Sequence, residues 1–130
     1  MEFSKVIFDS CIFIAFYNSD DLFHKEAKEI LELYKNNIII VSSYVIQEVA
    51  TVLTYRFGKD KADLFIDDIL NSDNTIISSS DIIEESRYFK SIKSKISYTD
   101  ISLLYLAERN KCVLITFDKQ LLNLYKKNKT

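Results

Sequence analysis

The sequence predicts an α/β fold, a mostly parallel sheet covered by helices on both faces. Three observations predict it. Short runs rich in isoleucine and valine, "KVIF", "IIIV", "NTIIS" and "CVLIT", recur along the chain. Longer stretches with apolar residues at helical spacing separate them. The short runs are unbroken rather than alternating, as in strands buried on both faces of a parallel sheet.

The elements follow in order. Val6–Phe8 reads as the first strand, and "SCIFIAFYN" as a short apolar helix after it. "NSDD" is a turn with cap residues. "LFHKEAKEILELYKNN" places Leu22, Phe23, Ala27, Ile30, Leu31 and Tyr34 on one helical stripe. "IIIV" is the second strand. "SSYVIQEVATVLTYRF" opens on serines that can cap, carries Val45, Val49, Val52 and Leu53 on one face, and ends at Gly58. "KADLFIDDILN" is a further amphipathic helix, and "NTIIS" the third strand. "SSDIIEESRYFKSIKS" is helical, in one or two pieces. "SYTDISLLYLAERNK" is a helix capped by Ser97 or Thr99, "CVLIT" the fourth strand, and "DKQLLNLYKKN" a basic-ended helix.

Composition bounds the function. At 130 residues, with 48% hydrophobic and 28% charged residues, the chain suits one folded domain over 1–130. Proline is absent and Gly58 is the one glycine. A glycine-rich phosphate loop is therefore impossible, which removes P-loop and Rossmann nucleotide sites. A net charge of −2 lacks the basic excess of a protein that binds nucleic acid by charge alone. Cys11 and Cys112 lie far apart in apolar runs without a histidine partner, so they read as buried reduced thiols rather than a zinc site. That usage suits the cytoplasm. "MEFSKVIFDS" gives no signal peptide, and no apolar run approaches the ~20 residues of a membrane span.

The chemistry-bearing residues are acids at element ends. In an open parallel sheet, ligands bind beyond the carboxyl ends of the strands. Asp9 follows the first strand; Thr116 ends the last one and Asp118 follows it. Glu48 falls at the edge of the valine stripe of its helix. Asp100 lies in a first helical turn, on the face of Leu103, Leu104 and Ala107. Each acid alone has an ordinary reading: a cap for Asp9, Asp100 and Asp118, and contact with water for Glu48. Four carboxylates in one crevice repel, and a hard divalent cation, Mg²⁺ or Mn²⁺, relieves the repulsion. His24, the lone histidine, reads as packing or capping. Asp20–Asp21, Asp67–Asp68 and Glu84–Glu85 read as caps and solvated faces. Arg56, on the phase of the apolar stripe, either snorkels or pairs with an acid.

The segments "VIFDSCIFIA", "SSYVIQEVA" and "SYTDISLLYLAERNKCVLITFDKQL" resemble the PIN-domain ribonucleases, and within them the small VapC-type toxins. The last segment is the most specific, with an acid in a first helical turn, then a strand, then "TFD". "DLFHKEAKEIL" is similar to the first long helix of such toxins. The resemblance spans essentially the whole chain. It implies a three-layer PIN-like fold with a mostly parallel sheet of four to five strands. It implies that Asp9, Glu48, Asp100 and Asp118 hold Mg²⁺ or Mn²⁺ and activate water for RNA cleavage, with Ser10 and Thr116 in support. Cys11 departs from the family, where that position often carries Ser or Asn. The resemblance further implies an antitoxin partner and a homodimer.

Two other classes compete with an endoribonuclease. A receiver-like module also uses strand-end acids, a hydroxyl and Mg²⁺, but needs a phosphoacceptor Asp ending its middle strand and a Lys ending its last. "NTIISSSD" and "CVLITFD" supply neither well. A catalytically inactive PIN scaffold serving as an interaction module has no need for all four acids. For RNA, Arg56, Lys59, Lys61, Arg87, Lys90, Lys93, Lys95 and the tail lysines Lys126, Lys127 and Lys129 are candidates to flank the crevice, although such runs ordinarily face solvent.

Overall fold

The structure, a computed structural model, describes residues 4–129, without the side chain of Lys129. Met1, Glu2, Phe3 and Thr130 lie outside it, as does that lysine's place in the basic tail. Strands β1 (Lys5–Phe8), β2 (Ile38–Ser42), β3 (Thr75–Ser78) and β4 (Val113–Ile115) form one parallel sheet in the order β3-β2-β1-β4. The helices are α1 (Ser10–Tyr17), α2 (His24–Leu33), α3 (Ser43–Phe57), α4 (Lys59–Leu70), α5 (Ile82–Ser91), α6 (Tyr98–Asn110) and α7 (Lys119–Lys129). The sheet has four strands, the lower end of the predicted range. The predicted α/β class and parallel pairing are found.

The core centres on β1. Val6, Ile7 and Phe8 are each fully buried, which is why the run "VIF" carries no polar alternation. Phe8, Phe13, Phe65 and Tyr17 continue outward from β1 as successive edge-to-face and tilted ring contacts, with centroids 5.5–5.8 Å apart. Val45, Val49 and Leu53 bury the stripe of α3, while Leu103, Leu104 and Leu121 bury α6 and α7. Arg56 escapes that stripe at the helix end and is exposed.

Connectivity fixes where the helices begin. Helices α1, α3 and α7 follow β1, β2 and β4, so their N-termini lie at the carboxyl edge of the sheet. Helix α6 leads back to the start of β4, so its N-terminus lies there too. Side chains cap these ends. Asp9 caps α1, Ser42 caps α3, and Ser97 rather than Thr99 caps α6. Helix α6 ends on Lys111 in the left-handed conformation, where its N–H reaches back to Ala107 and Glu108.

Three expectations need correction. Helix α2 begins at His24, and Leu22 and Phe23 stand outside it, exposed. A turn built on Asn18 and Asp21 takes up the chain first, with the Asp21 carboxylate accepting from the Phe23 N–H. Strand β3 is not buried on both faces. It lies at the sheet edge, and Ile76 and Ile77 are both about half exposed. Glu85 is not on a solvated face. Its side chain is buried beneath Tyr44, whose hydroxyl donates to it at 3.4 Å. Residues 82–91 form a single helix, and the following 92–97 segment is irregular.

Candidate metal centre

Register builds one wall of the crevice. Phe8 pairs with Ile115, so the next residues, Asp9 and Thr116, emerge side by side, and the Asp9 N–H donates to the Ile115 carbonyl at 3.0 Å. Asp9 is buried, and donors surround both its oxygens. Its Oδ1 accepts the Ser10 N–H at 2.7 Å and the Ser10 hydroxyl at 3.3 Å. Its Oδ2 accepts the Thr116 hydroxyl at 2.7 Å and the Cys11 thiol at 3.6 Å. Asp9 is thus both the predicted helix cap and a carboxylate fixed at the sheet edge.

Thr116 also accepts the Asp118 N–H at 3.0 Å, tying the last acid to the same hydroxyl. Asp118 turns one carboxylate oxygen onto the Gln120 and Leu121 N–H groups and caps the start of α7. Glu48 is exposed, yet its Oε2 accepts the Ser10 hydroxyl at 2.9 Å. Ser10 therefore bridges Asp9 and Glu48. Asp100 sits half-buried in the first turn of α6, where its N–H donates to Ser97.

Electrostatics link all four. Burial first, then the negative charges of Asp9 and Asp118, push the Asp100 carboxyl up to about 6, with Glu48 adding to the rise and Ser97 opposing it. Among the described residues the ion pairs are Lys35–Glu32, Lys59–Asp63 and Arg87–Glu84, and none involves these four acids. The crevice therefore concentrates negative charge that no side-chain cation offsets.

A divalent cation fits this donor set. The oxygens are hard, two of the acids are shielded from bulk water, and the helix N-termini partly steady their charge. Among the described residues no three carboxylate, imidazole or thiol groups form a ready-made cage.

Cys11 belongs to this centre, which its apolar sequence context concealed. Its sulfur accepts the Phe117 N–H at 3.4 Å and lies 3.7 Å from the Thr116 hydroxyl. Burial, and then the charge of Asp9, push the thiol up to about 12, so it stays protonated. It occupies the position as a neutral donor. Cys112 is buried on the start of β4, away from these residues. A mostly apolar cavity of about 280 Å³ opens there, lined by Leu104, Ala107, Cys112, Val113 and Tyr125, and it contains none of the four acids. His24 accounts for itself structurally, with Nδ1 2.8 Å from the Ala15 carbonyl.

Comparison with known proteins bears on the family and the fold. Residues 6–127 match the family model described as PIN domain. No curated protein matches the chain in sequence. Among solved structures, the chain is similar to the VapC20 toxin of Mycobacterium tuberculosis, described as a sarcin-ricin loop cleaving toxin. The two superpose with a TM-score of 0.79 at 18% identity, over 92% of this chain and 94% of that one, so the likeness is one of fold.

Proposed function

The chain belongs to the PIN-domain family, and from that premise we propose that it is an Mg²⁺- or Mn²⁺-dependent endoribonuclease, the toxin of a toxin–antitoxin pair. The observation that carries the reading is the Asp100 carboxyl, pushed up to about 6 beside Asp9, Asp118 and Glu48 with no side-chain cation among them. Such a charge cluster is costly unless a cation occupies it. The toxin role is supported by the described activity of the structural neighbour.

In this reading Asp9 and Asp100 are the principal metal ligands, with Glu48 and Asp118 holding a second ion or orienting water. Metal bound there would supply activation of water and charge stabilisation at the phosphorus and the leaving oxygen. The protein's own part is to hold its carboxylates still. Thr116 fixes Asp9 and the Asp118 backbone together, and Ser10 draws the exposed Glu48 toward Asp9. No side-chain nucleophile is required. An antitoxin covering the crevice, a homodimer and action in the cytoplasm complete the proposal. No helix among the described residues is long and apolar enough to cross a membrane.

The test is cleavage of cellular RNA after induction, read by sequencing of new RNA ends. Mapped cleavage that depends on Mg²⁺ or Mn²⁺ and is lost in Asp9→Ala supports the reading. Cleavage unaffected by chelation or by Asp9→Ala overturns it.

A further inference from the structure

The acid crevice has an aromatic rim. Phe117 lies in the chain between Thr116 and Asp118, and its own N–H is held by Cys11, so its backbone is part of the crevice wall. Its ring turns outward and stacks on Phe23, with centroids 4.7 Å apart and planes 18° from parallel. Phe23 is 38% exposed, and Leu22 beside it is 89% exposed. The outer ring of the stack therefore has surface open to solvent.

A hydrogen-bonded turn, together with partial burial, holds Phe23 there. The Asp21 carboxylate accepts the Phe23 N–H at 2.8 Å, the Asp21 N–H donates to the Asn18 carbonyl, and the His24 N–H to the Asp21 carbonyl. His24 Nδ1 lies 2.8 Å from the Ala15 carbonyl and anchors the turn to α1. A turn that fixes an exposed aromatic ring lowers the entropy cost of a partner stacking on it. The rim offers an aromatic face, which suits a flat and uncharged group.

We infer that the Phe117–Phe23 stack is a base-binding platform, on which an unpaired nucleobase next to the scissile phosphate continues the stack from the exposed ring of Phe23. This rests on the ribonuclease reading above. Stacking gives sequence-tolerant affinity, because every base offers a π-face, and it requires a base free of its helical neighbours. Phe117 directly precedes Asp118 in the chain, which joins the stack to one of the four acids.

The experiment has two arms. In the first, the intact protein cleaves an RNA oligonucleotide, and KM and kcat are compared for Phe23→Ala, Phe23→Leu and Phe23→Trp. Leucine retains an apolar contact with Phe117 without a π-face. The expected result is a KM raised roughly tenfold or more in Phe23→Ala and Phe23→Leu, with near-parental KM in Phe23→Trp. In the second arm, the Asp100→Asn protein binds RNA carrying 2-aminopurine next to the cleavage site. Quenching on binding that is lost with Phe23→Leu is expected. Unchanged KM in all three variants overturns the platform while leaving the nuclease reading intact, as does a shift in oligomeric state without a change in KM. Absence of RNA cleavage by the parent protein marks failure of the nuclease reading itself.

Discussion

The Thr116 hydroxyl donates to Asp9 Oδ2 at 2.7 Å, joining two residues 107 positions apart that follow neighbouring strands. The same oxygen accepts the Asp118 N–H. Thr116→Val, nearly isosteric, removes both bonds. Divalent-metal affinity is expected to fall roughly 10–100-fold, as for other groups that orient ligands. Thr116→Ser, which keeps the hydroxyl, should bind nearly as the parent. Calorimetric Mn²⁺ titration of both variants checks this, and equal affinity in Thr116→Val contradicts it.

Asp100 sets the pH dependence of the metal-free protein. Its carboxyl rises from an ordinary 3.8 to about 6 on folding, so the folded state holds the proton more tightly. Its contribution to stability is full below about pH 4 and is lost as pH rises through about 6. In chelator, Asp100→Asn should therefore melt higher than the parent at pH 7, by roughly 2–5 °C, while losing cleavage. The gap should shrink toward pH 4. A variant that melts lower than the parent at pH 7 refutes the assignment.

Metal should reverse that cost. In the parent protein, Mn²⁺ at about a hundred times its dissociation constant should add on the order of 2.7 kcal/mol by mass action. Asp100→Asn should show much less of this gain. Melting curves across a Mn²⁺ series, with chelator as the blank, measure it, and a melting temperature indifferent to Mn²⁺ argues against a metal centre.

Ser10→Ala isolates the bridge to Glu48. The variant loses the 2.9 Å bond to Glu48 Oε2, and the exposed carboxylate is then free to swing into solvent. Cleavage is expected to drop roughly 10–100-fold with little change in melting temperature. Full cleavage by Ser10→Ala would show that Glu48 needs no such restraint.

Glu85 offers a test outside the crevice. Burial raises its carboxyl above the ordinary range, so its charge works against folding at neutral pH. Glu85→Gln keeps an acceptor for the Tyr44 hydroxyl and should raise the melting temperature at pH 7 more than at pH 4. Equal melting of variant and parent at pH 7 would mean that the carboxylate is better solvated than its burial implies.

Much of this was legible in the sequence because the signals were local. Unbroken runs such as "VIF" announced buried parallel strands, and serines before apolar stripes announced the starts of α3 and α6. Asp9 and Asp118 were readable because strand ends in a parallel sheet share one edge. What escaped depended on packing between distant segments. Nothing local distinguishes Glu85 from its half-buried neighbour Glu84 in the chain. Their fates diverge because Tyr44, 41 positions earlier, covers one of them. Leu22 and Phe23 fit the helical period, but the Asn18–Asp21 turn was formed before the period could apply. Cys11 reads as a buried thiol from its apolar neighbours, while the family resemblance puts it at a position that often supports the site; the pairing of β1 with β4 brings it to Phe117 and Thr116.

The strand order carries a consequence for how this protein is made. β1 precedes β2, β3 and β4 in the chain, yet it sits between β2 and β4, and β4 comes after the other three. Until β4 emerges, one flank of β1 is open, Thr116 cannot reach Asp9, and Asp118 does not yet exist. A chain that stops short of β4 therefore lacks the paired sheet edge. At synthesis rates of roughly 5–20 residues per second, Asp118 follows Asp9 by several seconds, and the four acids are all present only after it. Premature termination before β4 leaves a product that carries Asp9, Glu48 and even Asp100 without the geometry that unites them.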